Sequence, residues 1–309
     1  MKWQPPDSVT IAPNAAPAPH GVWLPEGVAA PRSSFVKALI NIIGVSGVGK
    51  SFLACQALED SDYGPDEVAV LMHEDATSAY GPLMKPENIL RATTPDEADT
   101  IVERMIEGHK MGYRLPKLLF WDSLTGMTDY FQADKEQNPN MTQVKVDGKT
   151  TGEWARDKRS EYGDMGRWAQ RLYLKLRDQL PMDVVVLITS YEDNYAPRPE
   201  IACEGKVIPK NITRWSSCTL YMKAIEGKID LDKETEKQEL EAEIKAGGKA
   251  HRSYGRTALG VLDGTFLSRY FICQNTGEIT AKGHRNLGLR ECAILPDVLR
   301  KIRGLPART

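Results

Sequence analysis

The residue types best suited to chemistry lie in one short run, Gly44-Val45-Ser46-Gly47-Val48-Gly49-Lys50-Ser51. The run matches the pattern G-x-x-x-x-G-K-[ST] at every defined position. Glycines allow backbone N–H groups to converge on a polyphosphate, Lys50 can reach the terminal phosphates, and the Ser51 hydroxyl can bind Mg²⁺. The run therefore predicts a phosphate-binding loop for a nucleotide and its magnesium ion.

The residues on either side of this run predict the structure that such a loop needs. Residues 38–43 are almost all apolar and predict a buried strand, and residues 52–58 predict the first turns of a helix. The N-terminus of a helix adds positive potential at a bound phosphate. A chance match to the pattern would not be expected to lie between a strand and a helix.

Acidic residues end two other apolar runs. Residues 117–123 predict a buried strand that ends in Asp122, the Walker B pattern, which makes Asp122 the expected magnesium carboxylate. Residues 67–75 predict a strand that ends in Glu74 and Asp75. Because ligands bind beyond the carboxyl ends of strands in open α/β sheets, Glu74 is the preferred residue for orienting water, with Asp75 in reserve. The alternative is that these acids cap the next segment or lie in a solvated turn.

The composition of the 309 residues sets few limits on partners. A formal net charge of -2 neither requires nor excludes a polyanionic partner. The five cysteines are scattered, with no C-x-x-C pair, and indicate neither a disulfide framework nor a zinc site. Since no apolar run reaches membrane-spanning length and the N-terminus lacks the apolar segment of a signal peptide, we expect a cytoplasmic protein with no membrane partner.

Three regions are predicted along the chain. Residues 1–34 are rich in Pro and Ala and predict an extended N-terminal arm, and residues 35–225 predict the α/β core. Residues 226–309 predict a β-rich extension, with strands at 257–261 and 270–273, a solvated helix or hairpin tip at 233–245, and a helix at 291–303.

Two polar stretches, residues 126–160 and 191–209, are predicted to be irregular. Cationic side chains can bind nucleic-acid phosphates while aromatic rings stack on bases. A mixture of basic and aromatic residues, as in these stretches, therefore suits single-stranded DNA. The DNA-binding candidates are Lys145, Lys149, Trp154, Arg156, Arg198, Lys206 and Lys210. A solvated loop without a ligand explains the same residues equally well.

A polar pair also ends the buried strand predicted at residues 182–190. Thr189 and Ser190 could sense the γ-phosphate, although polar residues at a strand end are also routine in turns.

In order and type, these motifs resemble the RecA-like ATPase core, especially the compact phage proteins of that class that act in single-strand annealing or recombination. The resemblance spans about residues 36–222 and implies an α/β P-loop NTPase fold with a mostly parallel central sheet flanked by helices. It implies that ATP and Mg²⁺ are the cofactors, that Glu74 activates water, and that the two polar stretches bind single-stranded DNA. The Thr189-Ser190 pair departs from the family, because many recombinases have a glutamine there.

The resemblance also implies partners and a location. It implies a homo-oligomer, in which a cation from the adjacent subunit completes the site, and Lys249, Arg252 and Arg256 are the positional candidates. A recombination or replication protein is a further implied partner, and a phage-encoded chain would act in the cytoplasm of a bacterial host cell.

Two functions from different classes remain open at this point. The first is a Mg²⁺-dependent ATPase that acts on single-stranded DNA in recombination or strand annealing. The second is a nucleotide-switched assembly or scaffold ATPase that binds a protein partner, which the charged residues 233–245 favour. A small-molecule kinase is a third, and the sequence identifies no acceptor pocket for it.

Overall fold

The structure is a computed structural model that describes residues 38–58, 63–64, 66–73, 80, 84–192, 200–201, 203, 207–249, 251–274 and 281–306. The strands are β1 Ala38–Gly44, β2 Val68–Met72, β3 Ile89–Arg91, β4 Leu118–Asp122, β5 Met141–Val146, β6 Lys149–Arg156, β7 Val184–Glu192, β8 Glu200–Ile201, β9 Cys218–Lys228, β10 Arg252–Arg256, β11 Leu262–Ile272 and β12 Arg290–Cys292. The helices are α1 Phe52–Leu58, α2 Pro95–Lys110, α3 Leu124–Gln137, α4 Lys158–Asp178, α5 Val207–Trp215, α6 Glu234–Lys245 and α7 Leu295–Arg303.

Most strands belong to one mixed sheet, in the order β10-β11-β9-β1-β7-β4-β2-β3. The six strands from β9 to β3 run parallel, and β11 is antiparallel to β9, as β10 and β12 are to β11. Helices cover both faces, which is why β1, β2 and β4 are buried along their whole length. The predicted α/β class, with a mostly parallel central sheet flanked by helices, is confirmed.

The two faces of the sheet have separate cores. On one face, α1 and α7 contribute Leu53 and Val298 to a cluster with the alternate residues of β1, such as Ile40. On the other face, α2, α4 and α5 pack against Leu39 and its neighbours. Successive residues of a strand point to opposite faces of the sheet, so two adjacent residues at a strand end lie on different faces.

The polar stretch at residues 126–160 is ordered, so the prediction of an irregular segment there is wrong. The Ser123 hydroxyl caps α3 by accepting a hydrogen bond from Gly126 N, at 3.0 Å. Strands β5 and β6 then form a separate antiparallel hairpin. Asp147 and Gly148 have φ of 50° and 78°, and this pair makes the tight turn between the strands.

The C-terminal region continues the same sheet. Residue 225, the predicted end of the α/β core, lies inside strand β9. Strand β11 pairs with residues 221–228 of β9. The prediction of a strand at 257–261 is wrong. Gly260, at φ 78°, makes a turn there, in which its N–H donates to Thr257 O at 2.8 Å. The helix predicted at 291–303 is present as α7 but begins only at Leu295, because Arg290–Cys292 form β12 and pair with β11. Residues 234–245 form α6, in which Leu240 is buried. The predicted arm at residues 1–34 lies outside the described residues.

Candidate nucleotide site

The phosphate loop, residues 45–51, joins the end of β1 to α1. Gly47 and Gly49 adopt φ of 75° and 97°, which side chains with a Cβ rarely tolerate. Gly44 lies against Met222 of β9, whose carbonyl oxygen is 3.0 Å from the position that a Cβ would take. The sequence motif is therefore placed in the strand, loop and helix context that its residues predict.

Lys50 is enclosed by the loop to which it belongs. Its side-chain Nζ donates to the carbonyl oxygens of Gly44 and Val45, both at 2.8 Å, and only 7% of the residue is exposed. The ammonium group is thus held at the centre of the loop. A cation at this position can meet the charge of a polyphosphate at short range.

Tyr80 connects the phosphate loop to the end of β4. Its hydroxyl donates to Asp122 Oδ2, and the Ser51 side chain lies close enough to the same hydroxyl to affect its pKa. Tyr80 is fully buried, and burial together with the Asp122 carboxylate raises the pKa of its hydroxyl, which therefore stays protonated. The peptide bond between Asp122 and Ser123 is cis. Ser51 and Asp122, far apart in sequence, thus both lie beside the Tyr80 hydroxyl.

Ser51 and Asp122 fit a magnesium ion by their chemistry. Both present oxygen atoms, the ligands that this hard cation prefers, and Mg²⁺ usually takes one or two protein ligands together with phosphate oxygens and water. In the part of the chain that the structure describes, no group of three or more His, Cys, Asp or Glu residues could hold a metal ion.

His73 lies beside Asp122 but on the opposite face of the sheet. Its backbone N–H donates to Asp122 O at 2.9 Å, and its ring packs on Trp121 with 5.4 Å between centroids. Burial lowers the pKa of His73 to about 4, so the ring is neutral near pH 7. Nδ1 lies 2.8 Å from Ala92 O and must carry the proton, because a carbonyl oxygen only accepts. The other nitrogen, Nε2, has no hydrogen-bonding partner among the described residues.

Thr189 and Ser190 point to opposite faces at the end of β7. The Thr189 hydroxyl is fully buried and donates to Asn41 Oδ1 at 3.2 Å, while the Asn41 amide donates to the Tyr173 hydroxyl of α4 at 3.3 Å. Thr189 therefore belongs to a hydrogen-bonded network on the face of the sheet that carries α4, away from Ser51. The backbone N–H of Ser190 donates to Thr125 Oγ1 at 2.9 Å, and Ser190 points to the face that carries α1. Of the two sensor candidates, Ser190 has the suitable orientation.

Several candidates lie outside the described residues, namely Glu74, Asp75, Arg198 and Lys206. Their roles stay predictions.

The candidate DNA-binding residues between 141 and 156 belong to the β5–β6 hairpin. Lys145 and Lys149 are exposed, and the Trp154 side chain is 60% exposed. Arg156 differs, because its Nε and Nη2 donate to the buried Glu161 carboxylate at 2.9 to 3.0 Å. The Arg156 guanidinium is therefore already paired with a carboxylate, and it joins the hairpin to α4.

The remaining cationic candidates lie on α5 and around β10. Lys210 is exposed on α5. Lys249 and Arg252 both pair with Glu243 of α6, at 3.1 and 3.3 Å, and Arg256 donates to Gly260 O at 2.7 Å. Each of these three cations thus has a partner in its own chain.

Arg269 is a residue of the site that the sequence motifs do not indicate. It lies in β11, and its Nε donates to Val48 O of the phosphate loop at 2.7 Å. Its Nη1 donates to Ser253 Oγ of β10, also at 2.7 Å. Burial lowers the pKa of Arg269 from its ordinary value, yet an arginine remains charged at neutral pH.

Comparison with known proteins leaves the family open. No known protein family matches the sequence, and no curated protein matches it. Among solved structures, the fold is similar to that of an ATPase from the type III secretion system of pathogenic bacteria, with 13% identity and a TM-score of 0.41. The similarity covers 61% of this chain and 51% of the other, so the chain matches about half of that protein.

Among the described residues, no helix combines the length and the apolar character that crossing a membrane requires.

Proposed function

We propose that this protein is a Mg²⁺-dependent ATPase of the RecA-like type. The observation that carries the proposal is that Ser51 and Asp122 both lie beside the Tyr80 hydroxyl, next to a glycine loop that encloses Lys50. Lys50 and the loop N–H groups bind the phosphates, and Ser51 and Asp122 hold the metal. Bound Mg²⁺ neutralises charge on the phosphate oxygens. Glu74 is proposed to orient the attacking water.

The release of inorganic phosphate from ATP tests this function. We expect turnover that requires Mg²⁺ and that falls by about 100-fold or more in Lys50→Ala and Asp122→Asn, because each change removes charge from the site. Lys110→Ala, at an exposed position in α2, serves as the control and should retain full turnover. Full turnover in Lys50→Ala would contradict the proposal. Glu74→Gln should still bind ATP but hydrolyse it far more slowly.

We further propose that the ATPase acts on single-stranded DNA through the β5–β6 hairpin. The hairpin exposes Trp154 together with Lys145 and Lys149, which combine a stacking surface with cations for phosphates. It stands apart from the main sheet, and β5 and β6 pair with each other alone among the described strands. Recombination or strand annealing is the process that this activity would serve.

Fluorescence anisotropy with a labelled single-stranded oligonucleotide tests the DNA ligand. Trp154→Ala should weaken binding by about 1–3 kcal/mol, because base stacking on an aromatic ring contributes that much. Lys145→Gln and Lys149→Gln should each reduce the dependence of affinity on salt, because each removes a phosphate contact. Lys237→Gln, on the charged helix α6, is the matched control. Absence of binding at low salt would contradict the DNA proposal.

The second candidate function is nucleotide-switched binding of a protein partner. It is favoured by the loop between β10 and β11, where the side chains of Leu259 and Val261 are 91% and 61% exposed. Exposed apolar side chains of this size suit a protein surface better than a nucleic acid. ATP-dependent assembly that Leu259→Ser abolishes, in a protein that binds no DNA at low salt, would support this second function over the first.

A further inference from the structure

We infer that Arg269 is a positioning residue for nucleotide binding, which fixes the Val48–Gly49 peptide of the phosphate loop from strand β11. The inference rests on the proposed nucleotide site. It adds a residue that no motif identifies, and it gives the C-terminal region a part in phosphate binding.

The register of the sheet places Arg269 next to the loop. Gly44, the last residue of β1, is level with Met222 of β9, which in turn is level with Phe271 of β11. Arg269 precedes Phe271 by two residues and therefore points to the same face, the one that carries α1. Because β11 runs antiparallel to β9 and β1, moving back from Phe271 to Arg269 leads past the carboxyl end of β1. Arg269 therefore lies roughly 7 Å beyond that end, level with the phosphate loop.

The guanidinium of Arg269 holds two oxygen atoms at once. Nε donates to Val48 O and Nη1 to Ser253 Oγ, each at 2.7 Å. The planar fork of an arginine fixes the angle between these two hydrogen bonds, which a lysine cannot do. A Cβ on Gly49 would lie 3.0 Å from Nε, so the guanidinium packs directly against the glycine.

The contact with Val48 O sets the direction of the next N–H group. In a trans peptide the C=O and the N–H point to opposite sides. When Val48 O is held toward Arg269, the Gly49 N–H is directed away from it, to the side on which a phosphate would be cradled. Arg269 therefore acts through the backbone and not as a ligand of the phosphate.

The backbone of Arg269 is itself anchored on both sides. Its N–H donates to His251 O at 2.8 Å, and its carbonyl oxygen accepts from Ala293 N at 3.1 Å. Ala293 O accepts in turn from the Gln56 amide of α1, at 3.2 Å. The C-terminal region thus contacts the nucleotide site twice, at the loop through Arg269 and at the helix through Gln56.

Calorimetric titration of the full chain with MgADP tests the inference. Arg269→Gln should weaken binding about tenfold, the effect expected from losing a hydrogen bond made by a charged group. Arg269→Lys should weaken it by a similar factor, because it retains the charge but cannot span both oxygens. Ser253→Ala should have a smaller effect, since the bond to Val48 remains. Arg104→Gln, at an exposed position in α2, is the control and should bind normally.

The outcomes separate positioning from the alternatives. Wild-type affinity in Arg269→Lys would show that charge alone suffices and would overturn the inference. Unchanged affinity in both Arg269 variants, with only a lower midpoint of thermal unfolding, would indicate a purely structural role and overturn it as well. If Arg269→Gln does not fold, Arg269→Lys and Ser253→Ala decide. A wild-type protein that binds no MgADP would overturn the proposed function too, whereas normal wild-type binding with unaffected variants overturns the role of Arg269 alone.

Discussion

Asp122 and His73 are neighbours at the ends of two adjacent parallel strands, and both are buried. Asp122 is 8% exposed and directs its carboxylate to the face that carries α1 and the phosphate loop, whereas the His73 ring lies on the face that carries α2 and α4. One hydrogen bond, from His73 N to Asp122 O, joins their backbones. Any change in the charge of His73 therefore acts directly on the strand end that carries the expected metal ligand.

We predict that His73 makes the free energy of unfolding depend on pH between its ordinary pKa, 6.5, and its folded value of about 4. In this range the unfolded chain binds a proton that the folded protein excludes. The stability is therefore full above pH 6.5 and is lost as the pH falls toward 4, by at most ~1.4 kcal/mol per pH unit.

Urea denaturation at pH 7, 6 and 5 measures this dependence. His73→Gln should flatten the profile, whereas His109→Gln, at an exposed position in the last turn of α2, should leave it unchanged. Equal slopes in wild type and His73→Gln would show that other groups cause the loss.

At the scale of elements, the β5–β6 hairpin depends on one buried carboxylate at its base. Glu161, in the first turn of α4, accepts from Arg156 and from the backbone N–H of Asn140, at 3.0 Å. These contacts lower the pKa of Glu161, the guanidinium having the largest effect. The two ends of the hairpin are thus tied to the same side chain.

We predict that Glu161→Gln loosens the hairpin and leaves the main sheet intact. The amide cannot accept the paired N–H groups of Arg156 as a carboxylate does, so the base of the hairpin should open more often. Hydrogen exchange of the backbone should become faster in residues 141–156 and stay unchanged in β1 and β4. Glu153→Gln, at an exposed position on β6, is the control. Unchanged exchange in the hairpin would mean that the β5–β6 ladder holds without this anchor.

The hairpin also shows why part of the structure could not be predicted from the sequence. Residues of β6 are exposed on both sides until Arg156, so no alternation of apolar and polar residues marks the strand. The Asp147-Gly148 pair is a turn signal, but without flanking apolar residues it reads equally well as part of a solvated loop. By contrast, β1 and β4 are continuous apolar runs beside recognisable motifs, and their positions were predictable from local sequence.

At the scale of the molecule, contacts that connect distant parts of the chain complete the site. Arg269 and Val48 are 221 residues apart, and their contact follows from the register of β9 and β11, which no local pattern specifies. Tyr80 was likewise unpredictable as the partner of Asp122. Lys50, Ser51 and Asp122 lie in short motifs with a fixed chemistry, so the sequence alone predicts them as candidates for the nucleotide site.

We predict that Gln56→Ala destabilises the whole protein. The side chain is 4% exposed and joins α1 to the segment before α7, donating to Ala293 O and accepting from Leu295 N at 3.0 Å. Alanine would leave both backbone groups buried without these bonds, which should lower the free energy of unfolding by about 2–3 kcal/mol. Chemical denaturation measures the change.

The matched control is Gln238→Ala, on the exposed helix α6, where a change within about 0.5 kcal/mol is expected. A loss in Gln56→Ala no larger than in this control would show that α7 packs on α1 through apolar contacts alone.

The two edges of the main sheet bear on how copies of the chain can associate. At one edge, β3 has only three residues, and at the other, β10 begins and ends with arginine, at Arg252 and Arg256. Short edge strands and edge cations disfavour the strand-to-strand pairing that leads to aggregation. In the part of the chain that the structure describes, neither edge therefore favours a sheet that continues from one copy into the next.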